Sequence, residues 1–502
     1  MTDLLPRRWL RSLAISLVAG LLCACQLGGS DAARGVAAPS NSLSAPALLP
    51  PALAAVKPPL PALFDDLEKR TFDFFWETAN PANGLVPDRW PNPPFASITS
   101  VGFALTAYGI GVERGYITRE QARARTLATV RFFRDTPQGP DATGKAGYKG
   151  FFYHFLDMNS GARYGRVELS TVDTALLLSG MLFSQSYFDQ STADEAEIRA
   201  AVDTIAGRVD WAWAQQSHPP LVTLGWHPET GYILSDWSQY NEAMLVVLIG
   251  LASPTQPLAP SAWTALTATY DQSWRRTQGY DYLSFQSMFI HQFTHVWFDF
   301  RGIQDAYSKT KGIDYFENSR RATYAQRAYA IINPMRWNGY GENIWGISAS
   351  DGPGDVKVQD FSGEMRQFKD YFARGVGWPD PFDDGTITPT AAAGSLPFAP
   401  ELVIPAVQAM KQKYGAIIYG QYGFLDAFNP SFVNTKVKLS NGRTVPDFGW
   451  VATDYLGLDQ GPIVTMIENY RSDLVWSVMR KNPHLRRALR SAGFSGGWLE
   501  AN

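Results

Sequence analysis

The sequence predicts an all-α fold, an (α/α)6 toroid in which six outer helices enclose six inner helices, with a long loop region over the cleft. Three observations predict it. From about residue 61 onward, apolar residues recur with the 3.6-residue period of a helix, and few segments alternate as strands do. Helices that are apolar on nearly every face alternate loosely with helices that are charged on one side. The region 335–397 interrupts this series.

Helical periodicity extends over most of the chain. Segments 169–189 and 236–252 are apolar nearly all round and are predicted to be buried, whereas 118–135 and 194–216 are charged on one side. The periodic segments are 62–79, 96–115, 118–135, 169–189, 194–216, 236–252, 259–276, 285–297, 313–332, 398–413, 460–480 and 483–492. A superhelical repeat array and two separate bundles are the alternatives. No repeat of fixed period supports the array, and no break rich in Pro and Gly divides residues 61–500.

The region 335–397 is rich in Gly, Asp, Pro and aromatic residues and poor in helical period. A loop of this length inside a compact domain is usually either functional or disordered. Its aromatic residues argue against disorder: Trp337, Tyr340, Trp345, Phe361, Phe368, Tyr371, Phe372 and Trp378. We expect it to pack over one end of the toroid and to shape a cleft.

The N-terminus reads as an export signal. Basic residues precede the apolar run 12–22, which is too short to span a bilayer permanently. The run ends in Leu22-Cys23-Ala24-Cys25, which resembles a bacterial lipoprotein signal. Residues 1–24 are therefore predicted to be a signal peptide, with Cys25 as the lipidated first residue. Gln26 gives no retention signal of the Asp type, so we expect anchoring in the outer membrane, facing the periplasm.

Residues 25–60 are rich in Ala and Pro and almost free of charge, which predicts a tether between the lipid and a folded domain at 61–500. Cys23 and Cys25 are the only cysteines, so the folded domain has neither a disulfide nor a thiolate catalyst. A net charge of −3 gives no electrostatic footprint for nucleic acid. No GxSxG, phosphate-binding or dinucleotide motif is present, so no cofactor is expected, and we expect a monomer.

Glu242 is the most informative carboxylate. It shares a helix face with Leu245, Val246 and Ile249, so it is predicted to point inward. A buried carboxylate must be paired, hydrogen-bonded or held protonated. Glu242 is therefore a candidate general acid or sugar-hydroxyl ligand at the floor of a cleft, and a structural Glu bound to Arg or Tyr is the alternative.

Glu168 lies at the start of a buried helix. Ser170 and Asp173 have the spacing of a helix cap, so Asp173 is expected to serve the helix end. Glu168 precedes that cap and is not needed for it. We therefore expect Glu168 to face the cleft at the helix mouth.

Four further residues are candidates by position. Asp351 lies in a turn-forming Asp-Gly-Pro stretch, and Asp459 lies directly before a helix, where capping is the simpler explanation. Either could present a carboxylate at the mouth of the toroid. His291 and His295 have i, i+4 spacing, but no Glu follows the first His as in HExxH and no third ligand is evident. We expect them to bind substrate or neighbouring loops, and we expect no metal.

Five stretches carry a family resemblance: VELSTVDTALLLSG, HQFTHVWFDFRG, ENIWGISASDGPG, DDGTITPTAAAGSLPFAPE and LDQGPIVTMIENYRSDLVW. In this order they resemble the glycoamylase-like domain of glycoside hydrolase family 144, over residues 61–495. The resemblance implies an (α/α)6 barrel that hydrolyses β-1,2-glucans or sophoro-oligosaccharides. A related domain in cyclic β-1,2-glucan synthases is a transglycosylase, so hydrolysis is not implied uniquely.

The resemblance also implies site residues. By motif position the family acids are Glu168, Glu242 and Asp459, with Asp351 beside them. The same stretches contain further candidates for substrate binding, which are His291, His295, Asp299, Arg301 and Trp345.

The resulting prediction is a lipoprotein that cleaves a β-linked glucan with a pair of carboxylates. Glu242 is the predicted acid, Asp459 is the predicted base nearer solvent, and Glu168 and Asp351 bind hydroxyls or place water; these roles are interchangeable. The alternatives are a transglycosylase, an (α/α) polysaccharide lyase and a sugar-binding lipoprotein without catalysis. A lyase acting on an acidic polymer would need a cationic cleft, which the net charge does not support.

Overall fold

The computed structural model describes residues 57–91 and 95–500. The helices in these ranges are α1 (Ala62–Thr78), α2 (Ile98–Glu113), α3 (Arg119–Asp135), α4 (Thr171–Tyr187), α5 (Ala193–Gly207), α6 (Ala243–Ala252), α7 (Ser261–Thr267), α8 (Phe293–Trp297), α9 (Ala306–Lys311), α10 (Tyr315–Ile332), α11 (Pro389–Ala393), α12 (Pro400–Ile418), α13 (Gly457–Ser472), α14 (Leu474–Met479), α15 (Pro483–Ser491) and α16 (Gly497–Glu500). Three short 3-10 helices cover Trp213–Gln215, Tyr270–Gln272 and Met288–His291.

The helices form the predicted toroid. The inner helices are α2, α4, α6, α8, α11 and α13, which are buried along nearly their whole lengths. Each follows an outer helix in the chain, and the outer helices are α1, α3, α5, α7, α10 and α12. Helix α13 packs against both α1 and α2, so the end of the chain closes the ring.

Inner helices pack closely where the sequence supplies glycine. A Cβ added at Gly180 on α4 would lie 2.0 Å from the Gly102 carbonyl oxygen on α2. A Cβ at Gly102 would lie 2.4 Å from the Leu176 carbonyl oxygen. The backbones of α2 and α4 are therefore in direct contact, which only a residue without a side chain allows.

Most predicted helices are confirmed, and four segments need correction. Segment 194–216 is an α-helix only as far as Gly207. Segment 236–252 becomes helical only at Ala243. Segment 285–297 is a 3-10 turn followed by the short helix α8. Segment 259–276 was wrong in its second half, because α7 ends at Thr267 and the chain then turns into a strand.

Short strands that the helical pattern did not predict connect the helices. They are β1 (Arg89–Trp90), β2 (Ala96–Ser97), β3 (Gly147–Tyr148), β4 (Phe151–Tyr153), β5 (Phe155–Leu156), β6 (Leu169–Ser170), β7 (Gly225–His227), β8 (Gly231–Tyr232), β9 (Trp274–Thr277), β10 (Tyr280–Leu283), β11 (Ala349–Ser350), β12 (Val356–Gln359), β13 (Met365–Phe368), β14 (Phe372–Ala373), β15 (Tyr419–Gly420), β16 (Gly423–Phe424), β17 (Phe428–Asn429), β18 (Arg443–Val445), β19 (Gly449–Val451) and β20 (Tyr455–Leu456).

The largest of these sheets shapes the mouth of the toroid. It is antiparallel with strand order β3-β4-β6-β7-β8, pairing Phe152 with Ser170 and Leu169 with Trp226. Strand β6 runs directly into α4, and β2 runs directly into α2. The sheet therefore fixes the first turn of α4, and the separate two-stranded pair β2–β5 fixes the first turn of α2.

The region 335–397 is ordered into strands β11 to β14 and helix α11. Trp337, Trp345 and Phe368 are buried in it, whereas Phe361 is exposed. Ala349, Tyr371, Ala373 and Pro379 reach the cleft at the starts of the inner helices. The region thus packs over one end of the toroid, as its composition predicts.

The predicted signal peptide, Cys25 and nearly all of the predicted tether lie outside the described residues. Lys57, the first described residue, donates from Nζ to Asp473 Oδ1 and to the Tyr470 carbonyl oxygen, both at 2.9 Å. Among the described helices, none combines the length and apolar character needed to cross a membrane.

Candidate active site

A cleft opens where the inner helices begin. Its lining comes mostly from the first turns of α2, α4, α6, α8 and α13 and from the residues directly before them, with one wall from the region 335–397. Charged and polar side chains form one part of this lining and aromatic rings form another. The loops that precede the inner helices therefore bring together residues that are far apart in sequence.

Two carboxylates and an imidazole form the polar side. Glu168 and Asp173 line the cleft, and both are almost completely buried. His154 lies between them, with Nδ1 3.0 Å from Glu168 Oε1 and Nε2 3.4 Å from Asp173 Oδ1. Glu168 thus faces the cleft as expected, but Asp173 is a cleft residue as well as a helix-end residue.

The start of α4 explains this arrangement. Ser170 is the N-cap, and its side chain accepts a hydrogen bond from the Asp173 backbone N–H at 3.1 Å. The Ser170 hydroxyl donates to Asp173 Oδ2, and the Thr99 hydroxyl donates to Asp173 Oδ1, both at 2.5 Å. The Asp173 side chain therefore joins α4 to α2 and is not needed to cap α4.

Glu242 lies on the floor of the cleft, directly before α6. Among the described residues, none donates a hydrogen bond to its carboxyl group. Burial and the negative charge of Asp173 raise the pKa of Glu242 to about 8, and His154 opposes this rise. Glu242 is therefore protonated at neutral pH and poised to donate its proton into the cleft.

Aromatic rings form another part of the cleft lining. Phe285, Phe289 and Phe293 follow each other at four-residue spacing, with ring centroids 6.5 and 5.2 Å apart. Trp237 and Tyr371 complete this side of the lining. Rings arranged in a row offer flat apolar surfaces on which sugar rings can stack.

Asp459 is not at the solvent edge where we expected its carboxylate. It lies in the first turn of α13 and is almost fully buried against Asp426. No described donor bonds to Asp426 Oδ1 or to Asp459 Oδ2. Burial raises the pKa of both groups, and hydrogen bonding between them places the shared proton on Asp426. Asp459, whose pKa is raised to about 7, is the member of the pair that ionises first.

Tyr371 lines the cleft and lies close to this acid pair. Burial, Asp459 and Asp426 together raise the pKa of the Tyr371 hydroxyl well above its usual value. Leu458, the neighbour of Asp459, also lines the cleft. Asp459 thus lies in the layer directly behind the cleft wall.

Asp351 belongs to a separate polar cluster beside Asp459. Its Oδ2 accepts from Arg89 Nη1 at 3.0 Å and from Asn441 Nδ2 at 2.6 Å. Its backbone N–H donates to Asp426 Oδ2 at 2.7 Å. These contacts leave Asp351 as a support for Asp426 and not as a cleft residue, so its assignment to substrate binding is corrected.

His291 and His295 are also not cleft residues. His291 Nδ1 lies 3.3 Å from the Tyr240 hydroxyl, and His295 Nε2 lies 2.9 Å from the Ser319 hydroxyl. Burial lowers the pKa of each imidazole to about 3, so both are neutral. The pair serves the core packing around α8 and does not reach a substrate in the cleft.

Three further predicted binding residues are structural. Trp345, which is itself part of the region 335–397, is fully buried in the core. Asp299 pairs with Arg301 and Arg480, and Arg301 also pairs with Asp473 at 3.0 Å. Asp473 caps the C-terminal end of α13, whereas the cleft is at its N-terminal end. Asp299 and Arg301 therefore stabilise the opposite face of the toroid.

Sequence reasoning missed three residues at the site. His154 lies between β4 and β5, which have no helical signal, and Asp426 and Tyr371 lie in irregular segments. The signal available for His154 was a polar residue between apolar, aromatic neighbours in FFYHFL. Among the described residues, one group of potential metal ligands has donor atoms within 4.8 Å of each other, namely His154, Glu168 and Asp173. Both ring nitrogens of His154 already face carboxylate oxygens, and this arrangement fits hydrogen bonding.

The fold and the cleft together define a protein of the glucoamylase-like (α/α)6 class. Residues 234–483 match the Glycoamylase family model, described as "Putative glucoamylase". A solved structure of that description from Bacteroides uniformis is 30% identical, and the match covers 87% of this chain and 98% of that one with a TM-score of 0.72. This chain belongs to the Glycoamylase family.

Two further relatives carry more specific names. An endo-beta-1,2-glucanase from Chitinophaga pinensis, solved with sophorotriose and glucose, is 25% identical; the match covers 87% of this chain and 99% of that one, with a TM-score of 0.71. An exo beta-1,2-glucooligosaccharide sophorohydrolase (non-reducing end) from Parabacteroides distasonis is 27% identical over 461 residues. That match covers 85% of this chain and 57% of the relative, so the chain spans a little over half of the relative's length.

Proposed function

We propose that this protein is a glycoside hydrolase that cleaves β-1,2-linked glucan or sophoro-oligosaccharides. The observation that carries the proposal is Glu242, a protonated carboxyl group in a cleft that is also lined by a row of aromatic rings. Glycoside hydrolysis needs one such acid and a second, ionised carboxylate. The names of the Chitinophaga and Parabacteroides relatives support β-1,2-glucans as the substrate class.

In this proposal Glu242 protonates the leaving glycosidic oxygen. Its pKa of about 8 keeps the proton in place at neutral pH without holding it too tightly to give up. Because an acid acts only while protonated, activity should fall as the pH rises through about 8. No described residue hydrogen-bonds to the Glu242 carboxyl group, which leaves it available to the substrate oxygen.

Asp459 is the proposed second carboxylate. The pKa is raised more at Asp426 than at Asp459, so Asp459 is the member of the pair that ionises first, as a base must. Glu168 lies in the cleft itself and is the proposed ligand of sugar hydroxyls. The sequence-based roles of Glu242, Asp459 and Glu168 are therefore retained, and Asp351 moves to a supporting role behind Asp426.

The test is incubation with linkage-defined glucans followed by chromatography of the products. We expect shortened β-1,2-linked products and no products from β-1,3- or β-1,4-linked glucans. Glu242→Gln supplies the inactive control. Elongated or cyclised products would show transglycosylation, products absorbing in the ultraviolet would show a lyase, and binding without turnover would show a sugar-binding protein. Each of these outcomes would overturn the proposal.

We also propose that the protein acts as a lipid-anchored monomer in the bacterial envelope, attached to the outer membrane on its periplasmic side. The lipoprotein-type stretch at 22–25 and the Ala/Pro-rich tether support the anchor. Lys57 fixes the end of the tether to Tyr470 and Asp473, on the opposite side of the toroid from the cleft. The described end of the tether is therefore on the face of the toroid opposite the cleft.

A further inference from the structure

His154 holds a fixed place at the polar side of the cleft. Its backbone N–H donates to the Glu168 carbonyl oxygen at 3.0 Å, and its carbonyl oxygen accepts from the Ile98 N–H at 3.2 Å. Its ring stacks on Phe155 with a centroid distance of 3.9 Å and an interplanar angle of 29°. The ring therefore cannot turn away from the two carboxylates it faces.

Both ring nitrogens of His154 point at carboxylate oxygens. Nδ1 is 3.0 Å from Glu168 Oε1, and Nε2 is 3.4 Å from Asp173 Oδ1. A neutral imidazole has only one N–H, so it would leave a nitrogen lone pair facing a carboxylate oxygen. An imidazolium has an N–H on each nitrogen and fits both contacts.

Asp173 cannot supply the missing proton. The Thr99 hydroxyl donates to its Oδ1 and the Ser170 hydroxyl donates to its Oδ2, both at 2.5 Å. The Ser170 oxygen also accepts from the Asp173 backbone N–H, so its own hydrogen is free to donate. Both Asp173 oxygens are thus acceptors, and the proton in the contact with Nε2 must be on His154.

We propose that His154 is a positioning residue that acts as a fixed cation, bridging the carboxylates of Glu168 and Asp173 in the cleft. This inference rests on the proposed glycoside hydrolase function of the cleft. His154 acts through the two carboxylates that it orients.

Four acidic groups face His154 from the elements around it. Glu168 precedes β6, Asp173 lies on α4, Asp88 precedes β1 and Glu242 precedes α6. Although burial alone disfavours the charged ring, the three aspartate and glutamate neighbours Asp173, Glu168 and Asp88 raise the pKa of His154 to about 9. In return, the His154 charge lowers the pKa of Glu242. The positive charge of His154 therefore lies among these four acidic groups.

Direct observation of the ring tests the proposal without any activity measurement. The chain has six histidines, so the ring signals of His154 can be identified by their loss in His154→Gln. We expect two-dimensional ¹⁵N–¹H spectra at pH 7.5 to show both ring nitrogens protonated, and to show the neutral form only as the pH approaches about 9. A single protonated nitrogen at pH 7.5 would overturn the proposal whether or not the protein hydrolyses glucan.

The same spectra distinguish a metal-bound ring. Addition of EDTA should leave the His154 signals unchanged, and equimolar Zn²⁺ should not convert them to those of a ligated imidazole. A metal-dependent change at His154 would overturn the assignment of a cation, because a nitrogen that binds a metal has no proton.

The pH profile of kcat/KM tests the functional part. Without the cation, Glu242 should hold its proton more tightly, because the His154 charge lowers the pKa of Glu242. The basic limb of the profile, which reports the general acid, should therefore move to higher pH in His154→Gln. A loss of activity with the basic limb in place would show that His154 is merely structural.

His484→Gln is the matched control. His484 Nε2 lies 3.0 Å from Asp203 Oδ1, which is the same kind of imidazole–carboxylate pair, but Asp203 is on the outer surface of the toroid. This variant should keep both the rate and the limbs of wild type. If it shifts the profile as far as His154→Gln does, the effect belongs to the net charge of the protein and the proposal fails.

Discussion

At the residue scale, Glu242 can be tested by a substitution that keeps its shape. At neutral pH the side chain is an uncharged acid, and glutamine is an uncharged group of nearly the same size. Glu242→Gln should therefore leave the melting temperature unchanged while kcat falls by about 10²–10⁴-fold, the usual worth of a general acid. Steady-state kinetics on β-1,2-gluco-oligosaccharides with parallel thermal unfolding would measure both.

The control for this variant is Glu120→Gln, since Glu120 is exposed on α3, away from the cleft. It should match wild type in both measurements. If Glu242→Gln keeps its rate within a few-fold and instead melts at lower temperature, Glu242 is a structural residue and Glu168 becomes the candidate acid.

The buried acid pair predicts an asymmetric response. In Asp426→Asn the amide can still donate a hydrogen bond to Asp459, and its oxygen can still accept from the Asp351 N–H. This variant should keep most of its activity. Asp459→Asn loses the ionised carboxylate, so its kcat should fall by roughly 10²-fold or more. Equal losses in the two variants, measured under the same conditions, would contradict the assignment of the proton to Asp426.

The sequence was informative about these residues only where a regular pattern surrounded them. Glu242 stood out because apolar residues followed it at helical spacing, although the helix begins one residue later. Asp426 follows the two-residue strand β16, and its partner comes from α13 more than thirty residues later. No local pattern encodes such a pairing, so it could not be predicted. The prediction that His291 and His295 bind substrate was wrong, because regular spacing indicates a shared helix face but not whether that face meets the cleft or the core.

At the element scale, the contact between α2 and α4 depends on glycine. Gly180→Ala would place a Cβ 2.0 Å from the Gly102 carbonyl oxygen, and backbone cannot yield as a flexible side chain can. We expect destabilisation by about 1–3 kcal/mol, the usual cost of overpacking a core. Denaturant unfolding would measure it. Gly341→Ala is the control, since a Cβ there meets nothing within 4 Å and the backbone does not have positive φ.

The control should stay within about 0.5 kcal/mol of wild type, as surface substitutions usually do. A Gly180→Ala variant as stable as Gly341→Ala would mean that α2 and α4 can separate without cost. That result would contradict the direct backbone contact.

The elements that were predicted well are the ones with long periodic segments. Outer helices such as α3 carry caps and charged faces, so their limits followed the sequence closely. The hairpin β9–β10 was missed because most of β9 was assigned to the end of the helical segment 259–276, just before the two-residue turn Gln278-Gly279. Both residues have positive φ, 51° and 88°, as a tight hairpin turn requires. A Gly after a polar residue between alternating segments was the signal for it.

At the scale of the whole molecule, the alternation of buried and half-exposed helices was enough to predict the toroid. The cleft was harder to predict, because each of its walls combines loops from distant parts of the chain. What the sequence did contain was the order of the inner helices, and the residues before them are the ones that line the cleft. Candidates placed at the starts of inner helices, such as Glu168 and Glu242, therefore reached the cleft, whereas candidates such as Asp299 and Arg301 did not.

The position of the tether predicts how an anchored protein would present its cleft. Helix α13 has 16 residues, and at 1.5 Å per residue it spans about 24 Å from the cleft end to the end where Lys57 binds Asp473. If Cys25 carries the proposed lipid, the tether meets the toroid on the face opposite the cleft, and we expect the cleft to stay accessible. Metabolic labelling with a fatty acid should mark wild type and the control Cys23→Ser, but not Cys25→Ser; equal labelling of all three would contradict the anchor.

Labelled wild type bound to lipid vesicles should then hydrolyse β-1,2-gluco-oligosaccharides as fast as soluble Cys25→Ser, because no bilayer blocks the cleft. A vesicle-bound rate tenfold lower, with restored activity after detergent release, would show that the cleft faces the membrane and that the tether does not leave the toroid where Lys57 places it.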